Sequence, residues 1–270
     1  MPIAYHVLAV NSAAARLWYV TATARPTRRT ESTPEGFLKL AMAARSSATR
    51  ARYARRGLAT RAPLDRTTQT MLLRQLYLSQ FEARKFEEAH AIALQAIELD
   101  VLADVLHQDA ARAAIAAGDL DAALGHLRMA ARRCPASRRA FHWWTLGGTL
   151  FLAQRYPEAI AALTRATRWG TRDKPLYRAH LALARIASGE LVNGDDLQET
   201  IDALAHAPCG QGYGRFILGH LAYGAGEWAA ARRYLDAFIR RTEASRTAMT
   251  IALEAELSMS RATIAKMRKN

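Results

Sequence analysis

Residues 143–167 have the sequence WWTLGGTLFLAQRYPEAIAALTRAT, which is rich in helix-forming residues but contains Gly147 and Gly148 side by side. A glycine inside a helix costs about 1 kcal/mol relative to alanine. That cost is offset where a second helix packs so closely that a side chain would keep the two backbones apart. The stretch therefore raises the question of what packs against Gly147.

The frame of this stretch recurs along the chain. The pattern Trp143-x-x-Leu146-Gly147 has a counterpart around Gly219. Small and apolar residues keep the same spacing in four windows of 34 residues, which are 70–103, 104–137, 140–173 and 212–245. This pattern resembles the tetratricopeptide repeat, whose first half is W-x2-L-G-x2-Y and whose second half contains A-x3-F and a proline.

The resemblance implies an all-α fold in which antiparallel helix pairs stack in a right-handed superhelix, an alpha-solenoid. It also implies that Gly147 and Gly219 lie on the first helices where the second helices pack closest. Ala159 and Ala231 would then face back from the second helices towards the first. The chain departs from the pattern where the tyrosine of the first half is replaced by Gln80, Ala114, Leu150 and Ala222. The pattern is least regular over 174–211, which we interpret as a degenerate fifth repeat, so that the repeats cover 70–245.

The segments outside the repeats differ in character. Residues 35–69 are typical of a basic helical pair, with Ser46 or Ser47 capping the second helix, and could form a shortened leading repeat. Residues 246–270 are interpreted as one long capping helix, because repeat arrays end in a helix with a polar outer face. Residues 1–34 form an N-terminal extension, either a small hairpin or poorly ordered.

The chain is strongly basic, with 38 Lys and Arg against 24 Asp and Glu. Residues 1–66 alone contain 12 basic and three acidic residues. A basic patch is predicted at Arg45, Arg50, Arg52, Arg55 and Arg56. Such a patch can bind phosphates or an acidic protein surface, or it can be a solvated face of an arginine-rich protein.

In the tetratricopeptide architecture the first helices line a concave groove. The resemblance assigns to a peptide-binding groove the residues Arg74, Leu78, Gln108, Arg112, Phe141, Trp144, Arg178, Arg185, Tyr213, His220 and Tyr223. Aromatic residues and arginines are enriched at binding hot spots. The alternative is that several of these aromatic side chains fill the core between repeats.

Two adjacent tryptophans test this assignment. Successive residues of a helix point about 100° apart, so Trp143 and Trp144 cannot face the same way. We expect Trp144 to project into the groove together with its neighbour Gly148, and Trp143 to pack into the core. Arg112 and Arg178 are expected to reach the same groove.

Catalysis finds little support in the sequence. His206 and Cys209 lie three residues apart, but no third group or oxyanion donor accompanies them, and the remaining histidines are scattered. No residue spacing indicates a metal site, a cofactor site or a phosphate-binding loop, so no catalytic residue, metal ligand or cofactor is predicted. No apolar stretch is long enough for a membrane span, and two unpaired cysteines fit a reducing, cytoplasmic environment.

The sequence therefore predicts a non-enzymatic scaffold or adaptor. Its partner would be another protein or a peptide, with acidic and apolar residues, held in the groove. A nucleic-acid-associated or regulatory protein that uses the basic N-terminal helices is the alternative. A sensor that binds a signalling peptide in the groove is a third interpretation.

Overall fold

The computed structural model describes residues 33–267, and within that range all regular structure is helical, which confirms the prediction of an all-α fold. The predicted extension over residues 1–34 lies almost entirely outside the described residues. The α-helices are α1 Pro34–Ala43, α2 Ser47–Leu58, α3 Arg66–Glu82, α4 Phe86–Ile97, α5 Ala103–Ala117, α6 Leu120–Arg133, α7 Ala136–Leu152, α8 Tyr156–Trp169, α9 Lys174–Ala187, α10 Gly194–His206, α11 Gly214–Gly224, α12 Trp228–Glu243, α13 Thr247–Ala252 and α14 Glu254–Met267.

The chain divides into two compact units. The described part of the N-terminal unit is residues 33–133, with helices α1–α6, and that of the C-terminal unit is residues 134–267, with helices α7–α14. Within each unit every helix packs against the helix that follows it. In the C-terminal unit α7 also contacts α9, and α9 contacts α11. Alternate helices therefore touch as well as consecutive ones.

Five helix pairs, from α3–α4 to α11–α12, are joined by the same turn. Each of these pairs has one residue in the left-handed region, namely Arg84, Gly118, Gln154, Gly189 and Gly226, with φ between 57° and 88°. The next residue then donates its N–H to the carbonyl five positions earlier, as in Lys85 to Gln80, Asp119 to Ala114, Arg155 to Leu150, Glu190 to Arg185 and Glu227 to Ala222, at 2.8–3.0 Å. This is the pattern of a Schellman cap, which satisfies carbonyls at the end of the first helix and reverses the chain.

The close helix crossing predicted at Gly147 is present. A Cβ atom on Gly147 would lie 2.6 Å from Leu163 Cγ and 3.2 Å from the Leu163 backbone nitrogen. A Cβ atom on Gly219 would lie 2.6 Å from Leu235 Cγ and 3.3 Å from the Leu235 nitrogen. Ala159 and Ala231, on the facing helices, are fully buried. In both hairpins, therefore, glycine makes room for a leucine of the second helix.

The helices at the two ends of the described chain agree in part with the predictions from the sequence. Ser46 caps α2, since its hydroxyl accepts the Thr49 N–H at 3.2 Å, and Thr33 caps α1 in the same way. The prediction of one long helix over 246–270 is wrong, because the chain turns at Leu253, between α13 and α14. The turn lets α13 pack on α12 while α14 reaches both α11 and α12. One straight helix could not bury the apolar residues of both segments.

Over the described residues 33–267, no helix combines the length and the apolar character that a membrane span requires.

The crossing at Gly147 generates a prediction about stability. Gly147→Ala should lower the free energy of unfolding by about 1–3 kcal/mol, because the leucine that it meets is fixed through its own backbone. Gly224→Ala is the matched control in the same unit, since a Cβ atom there meets nothing within 4 Å. Urea denaturation followed by circular dichroism measures both. Equal midpoints for the two variants would contradict the close crossing.

Candidate functional site

Trp144 lies at the centre of an aromatic cluster in the C-terminal unit. Its ring centroid is 5.9 Å from those of Phe141 and Tyr177 and 5.0 Å from that of Tyr213. Only 6% of Trp144 is exposed. The expectation that Trp144 projects freely into a groove is therefore wrong. Tyr177 of α9 and Tyr213, the residue before α11, cover it.

Trp143 is the more exposed of the two tryptophans, which reverses the sequence-based expectation. It is partly exposed and packs against Trp169 at the end of α8, with ring centroids 6.4 Å apart. Gly148, expected to face the groove, is also buried, and a Cβ atom there would lie 3.2 Å from His180 Cε1. The side of α7 assigned to a groove is thus mostly covered by α9.

A buried hydrogen bond fixes the Trp144 ring. The indole Nε1–H donates to His180 Nδ1 at 3.1 Å. Burial lowers the pKa of His180 to about 3, so the imidazole is neutral and Nδ1 can accept. His220 is likewise buried, and burial lowers its pKa to about 4. Both histidines leave Nε2 buried without a hydrogen-bond partner, so the cluster contains polar atoms that the fold does not satisfy.

A second buried hydrogen bond ties the C-terminal helix to this cluster. The Tyr213 hydroxyl donates to Glu256 Oε1 of α14 at 3.1 Å. Burial raises the pKa of Glu256 to about 7, compared with an ordinary value of 4.5. Burial and the neighbouring carboxyl together raise the pKa of Tyr213 well above its usual value. Near neutral pH the pair therefore holds a carboxyl group that is poised to ionise.

The cluster forms one wall of a pocket with a volume of about 80 Å³. Its polar lining residues are Asp173, Thr242, Arg241 and Ser245, and Arg241 is exposed. Its apolar lining residues include Phe141, Trp144, Leu176, Tyr177, Tyr213, Phe238, Met249 and Leu253. The pocket thus combines aromatic walls with one accessible guanidinium group. The predicted groove includes three of its residues, Phe141, Trp144 and Tyr213, but not Arg241.

Arg178 and Arg185 do not share this pocket. Both are exposed and line a crevice of about 510 Å³ between α9 and α10. The reason is register: Arg185 accepts the hydrogen bond of the hairpin turn, as Leu150 does in the preceding pair. The predicted window was one residue out of step, which rotates every position on α9 by about 100°. Tyr177 and His180 face Trp144 instead.

The two remaining groove candidates of the C-terminal unit lie on α11. His220 is buried against Phe216, with ring centroids 4.7 Å apart. Tyr223 is partly exposed and contacts the exposed Trp228 of α12. His220 is therefore a core residue, and Tyr223 lies at the hairpin end of α11.

In the N-terminal unit the predicted groove arginines hold a buried carboxylate. Arg74 Nε donates to Asp109 Oδ2 at 2.6 Å, and Arg112 donates to Asp109 Oδ1 at 3.0 Å. The arginine side chains are 13% and 14% exposed, and Asp109 is 2% exposed. Gln108 is buried and Leu78 partly buried. The contacts of Asp109 bind α3 to α5. Because Gln108 is buried, it is not available to a ligand.

The predicted basic patch lies on and just before α2. Arg45, Arg52, Arg55 and Arg56 are exposed, whereas Arg50 is ion-paired with Glu82 of α3 at 2.6 Å. The guanidinium of Arg56 lies over the Phe37 ring at 4.7 Å, and that of Arg52 over Tyr53 at 5.2 Å. Four of the five arginines therefore present charge to solvent.

The histidines are not scattered in space. His126 lies between His90 and His107, with ring nitrogens 3.3 Å and 3.1 Å apart, and so links helices α4, α5 and α6. Burial, and then a neighbouring histidine, lowers the pKa of His107 and of His126. Within residues 33–267, no cluster of three or more His, Cys, Asp or Glu side chains is placed to hold a metal ion. The three rings therefore form a chain of side-chain contacts that links three helices.

His206 and Cys209 each make contacts with other groups. His206 Nδ1 lies 2.7 Å from the Asp202 carbonyl on its own helix. Cys209 is buried in the short 3-10 helix Pro208–Gln211, and burial raises the pKa of its thiol. A protonated thiol is a poor nucleophile.

No protein-family model matches this chain, and a search of curated proteins returns no match.

The two tryptophans should differ in their effect on stability. Trp144→Ala should lower the free energy of unfolding by about 3–5 kcal/mol, because it removes a buried aromatic side chain and the hydrogen bond to His180. Trp143→Ala should cost about 1 kcal/mol, since the ring is partly exposed. Urea titration followed by circular dichroism compares them. A larger cost for Trp143→Ala would show that the covered side of α7 has been misassigned.

Glu256 should make the fold less stable as the pH rises. Its pKa is about 7 in the folded chain, against an ordinary value of 4.5. The stability that this group contributes is therefore fully present below about pH 4.5 and is lost as the pH rises through 7. His180 and His220 act in the opposite sense, because their lowered pKa values remove stability as the pH falls below 6.5.

Glu256→Gln isolates the first contribution. From about pH 5 to about pH 8, its free energy of unfolding should rise relative to the wild type by about 2–3 kcal/mol. Denaturant titrations of both chains at each pH measure the difference. A difference that does not change with pH would mean that Glu256 ionises normally in the folded chain.

Proposed function

We propose that this chain is a non-enzymatic protein-binding scaffold, built from tetratricopeptide-type hairpins that stack in a right-handed superhelix. Three observations support the architecture. Five hairpins share one turn geometry. Two hairpins share the glycine–leucine crossing. Side chains 35 or 36 residues apart, about one repeat length, meet across neighbouring hairpins, as Trp144 meets His180.

The observation that carries the function is the pocket beside Trp144. Its walls come from α7 and α9, which are the first helices of their hairpins, from Tyr213 just before α11, and from residues of α12 and α13. An extended segment of a partner can cross such a surface and place one side chain in the pocket. Binding of this kind requires positioning and no chemical step.

The pocket also limits the partner's chemistry. At about 80 Å³ it is smaller than a cavity of ~150 Å³ that holds benzene, so it suits an aliphatic side chain better than an aromatic one. The exposed guanidinium of Arg241 can bind a carboxylate next to that side chain. Asp173 also lines the pocket and disfavours a second acidic group. The proposed partner is therefore a protein segment with an aliphatic and an acidic residue close together.

Selection from displayed random 12-residue peptides tests this proposal. Peptides enriched on the full chain should share an aliphatic residue next to an acidic one. Arg241→Gln should weaken their binding about tenfold or more, as the loss of a charge-assisted hydrogen bond does, and Ser245→Phe should abolish it by filling the pocket. Fluorescence polarisation gives the Kd values, and thermal melts check that both variants fold. Enriched peptides that bind both variants normally would exclude the pocket.

The basic face of α2 supports the alternative function, that of a nucleic-acid-associated or regulatory protein. The observation in favour of this alternative is that four arginines, at positions 45, 52, 55 and 56, are exposed. Changing these four to glutamine should leave the binding of the selected peptides within about twofold. A large loss that is recovered at low salt would instead favour the alternative, because contacts through many charges weaken steeply with salt.

A further inference from the structure

The outer side of the α7–α8 hairpin carries two tryptophans and two arginines that pair reciprocally. The guanidinium of Arg139 on α7 lies 5.1 Å from the ring centroid of Trp169 on α8. The guanidinium of Arg165 on α8 lies 4.5 Å from the ring centroid of Trp143 on α7. The two indole rings lie 6.4 Å apart at 51° to each other. These four residues are called the Arg–Trp surface below.

Helix geometry explains this arrangement. On each helix the arginine comes four residues before the tryptophan, which places both on the same side, one turn apart. Because the helices are antiparallel, each arginine then reaches the tryptophan of the other helix. A cation over an indole face is held by the ring's quadrupole. The rings are therefore oriented before any ligand arrives.

The Arg–Trp surface is accessible and basic. Trp169 is 40% exposed, and Arg165, Arg168 and Arg172 are exposed beside it in the sequence. Residues 135–173 contain six arginines and two acidic residues, Glu158 and Asp173. The Glu158 carboxylate is already bound by Arg155 at 2.6 Å. An anionic ligand would thus meet guanidinium groups with little competing negative charge.

We propose that the Arg–Trp surface binds single-stranded nucleic acid. An unpaired base stacks on the exposed face of Trp169, while the phosphates on either side bind Arg165, Arg168 and Arg172. Exposed aromatic rings within a basic surface are the common feature of proteins that bind single strands with little sequence preference. A duplex fits less well, because its bases are already stacked on each other. An acidic peptide would use the arginines but leave the indole face without a flat partner.

This activity goes beyond the proposed function and uses different residues. Trp143 belongs to the Arg–Trp surface, whereas the adjacent Trp144 lies in the aromatic cluster, about 100° further round α7. Arg241 and Ser245, which test the pocket, are not part of the Arg–Trp surface. Failure of the peptide experiment therefore leaves this proposal standing, and failure of the nucleic-acid experiment leaves the scaffold proposal standing.

The test measures the fluorescence anisotropy of labelled 12-nucleotide oligouridine, oligothymidine and a 12-base-pair DNA duplex with the full chain. We expect the single strands to bind at least tenfold more tightly than the duplex at low salt. Trp169→Ala should weaken single-strand binding about tenfold, which is within the range for loss of one stacked base. Trp228→Ala is the matched control, because Trp228 is 46% exposed and contacts Tyr223; it should have no effect.

The arginines of the Arg–Trp surface are tested with two triple substitutions that remove the same charge. Changing Arg165, Arg168 and Arg172 together to glutamine should weaken binding at least tenfold and make it less dependent on salt. The control changes Arg155, Arg232 and Arg261, each of which is ion-paired with an acidic residue, and should weaken binding less than threefold. Thermal melts check that every variant folds.

Four results with the nucleic acids and the variants would overturn the proposal. They are the absence of single-strand binding, equal affinity for the duplex, equal losses from Trp169→Ala and Trp228→Ala, and equal losses from the two arginine triples. Displacement of oligouridine by an equal charge concentration of a polyglutamate peptide would also overturn it, because the surface would then recognise acidic peptides instead.

Discussion

The structure depends on how closely two helices of a hairpin can approach. At Gly147 and at Gly219 there is no room for a Cβ atom, because a leucine of the second helix occupies that space. This contact fixes the rotation of the first helix about its axis. Once α7 is fixed at Gly147, Trp143 must lie towards the end of α8 and Trp144 towards α9.

The second organising feature is contact between residues about one repeat apart. His90 meets His126 across 36 residues, and Arg74 meets Asp109 across 35. Stacked hairpins bring like positions together, so a polar residue placed at one of them needs a partner in the next hairpin. The buried polar network is thus a product of the periodicity, and each of its members holds two hairpins in one relative orientation.

Much of the fold could be predicted from the sequence, because helix formation and close crossings depend on local residue types. The helices and the Ser46 cap follow from composition and spacing, and the crossing at Gly147 follows from the resemblance to the repeat. The orientation of Trp144 did not, since periodicity places a residue on one side of a helix but does not show which neighbour covers that side. The resemblance gave that side to a groove, and α9 covers it.

The alignment of the repeat windows was the second limit on what could be predicted from the sequence. The window 174–211 has no glycine at the crossing position to fix its alignment, and an error of one residue moved Arg178 and Arg185 to the wrong side of α9. The bend at Leu253 carries no glycine or proline, so no local signal marks it. The pairing of His90 with His126 could have been found from their separation of one repeat. Arg241 could have been found only from the pocket that it lines.

The loosely packed α9–α10 hairpin has a consequence for how the chain opens. Among the residues of α10, all of which the structure describes, Leu204 alone is buried, and a crevice of about 510 Å³ separates this helix from α9. Proteins open in cooperative segments, and the segments with the least buried apolar surface open at the lowest free energy. The amide protons of α10 should accordingly exchange with solvent through a local opening that leaves the crossings of α7–α8 and α11–α12 intact. The exposed connection at Leu191 then becomes the point where a protease first reaches the backbone of the C-terminal unit.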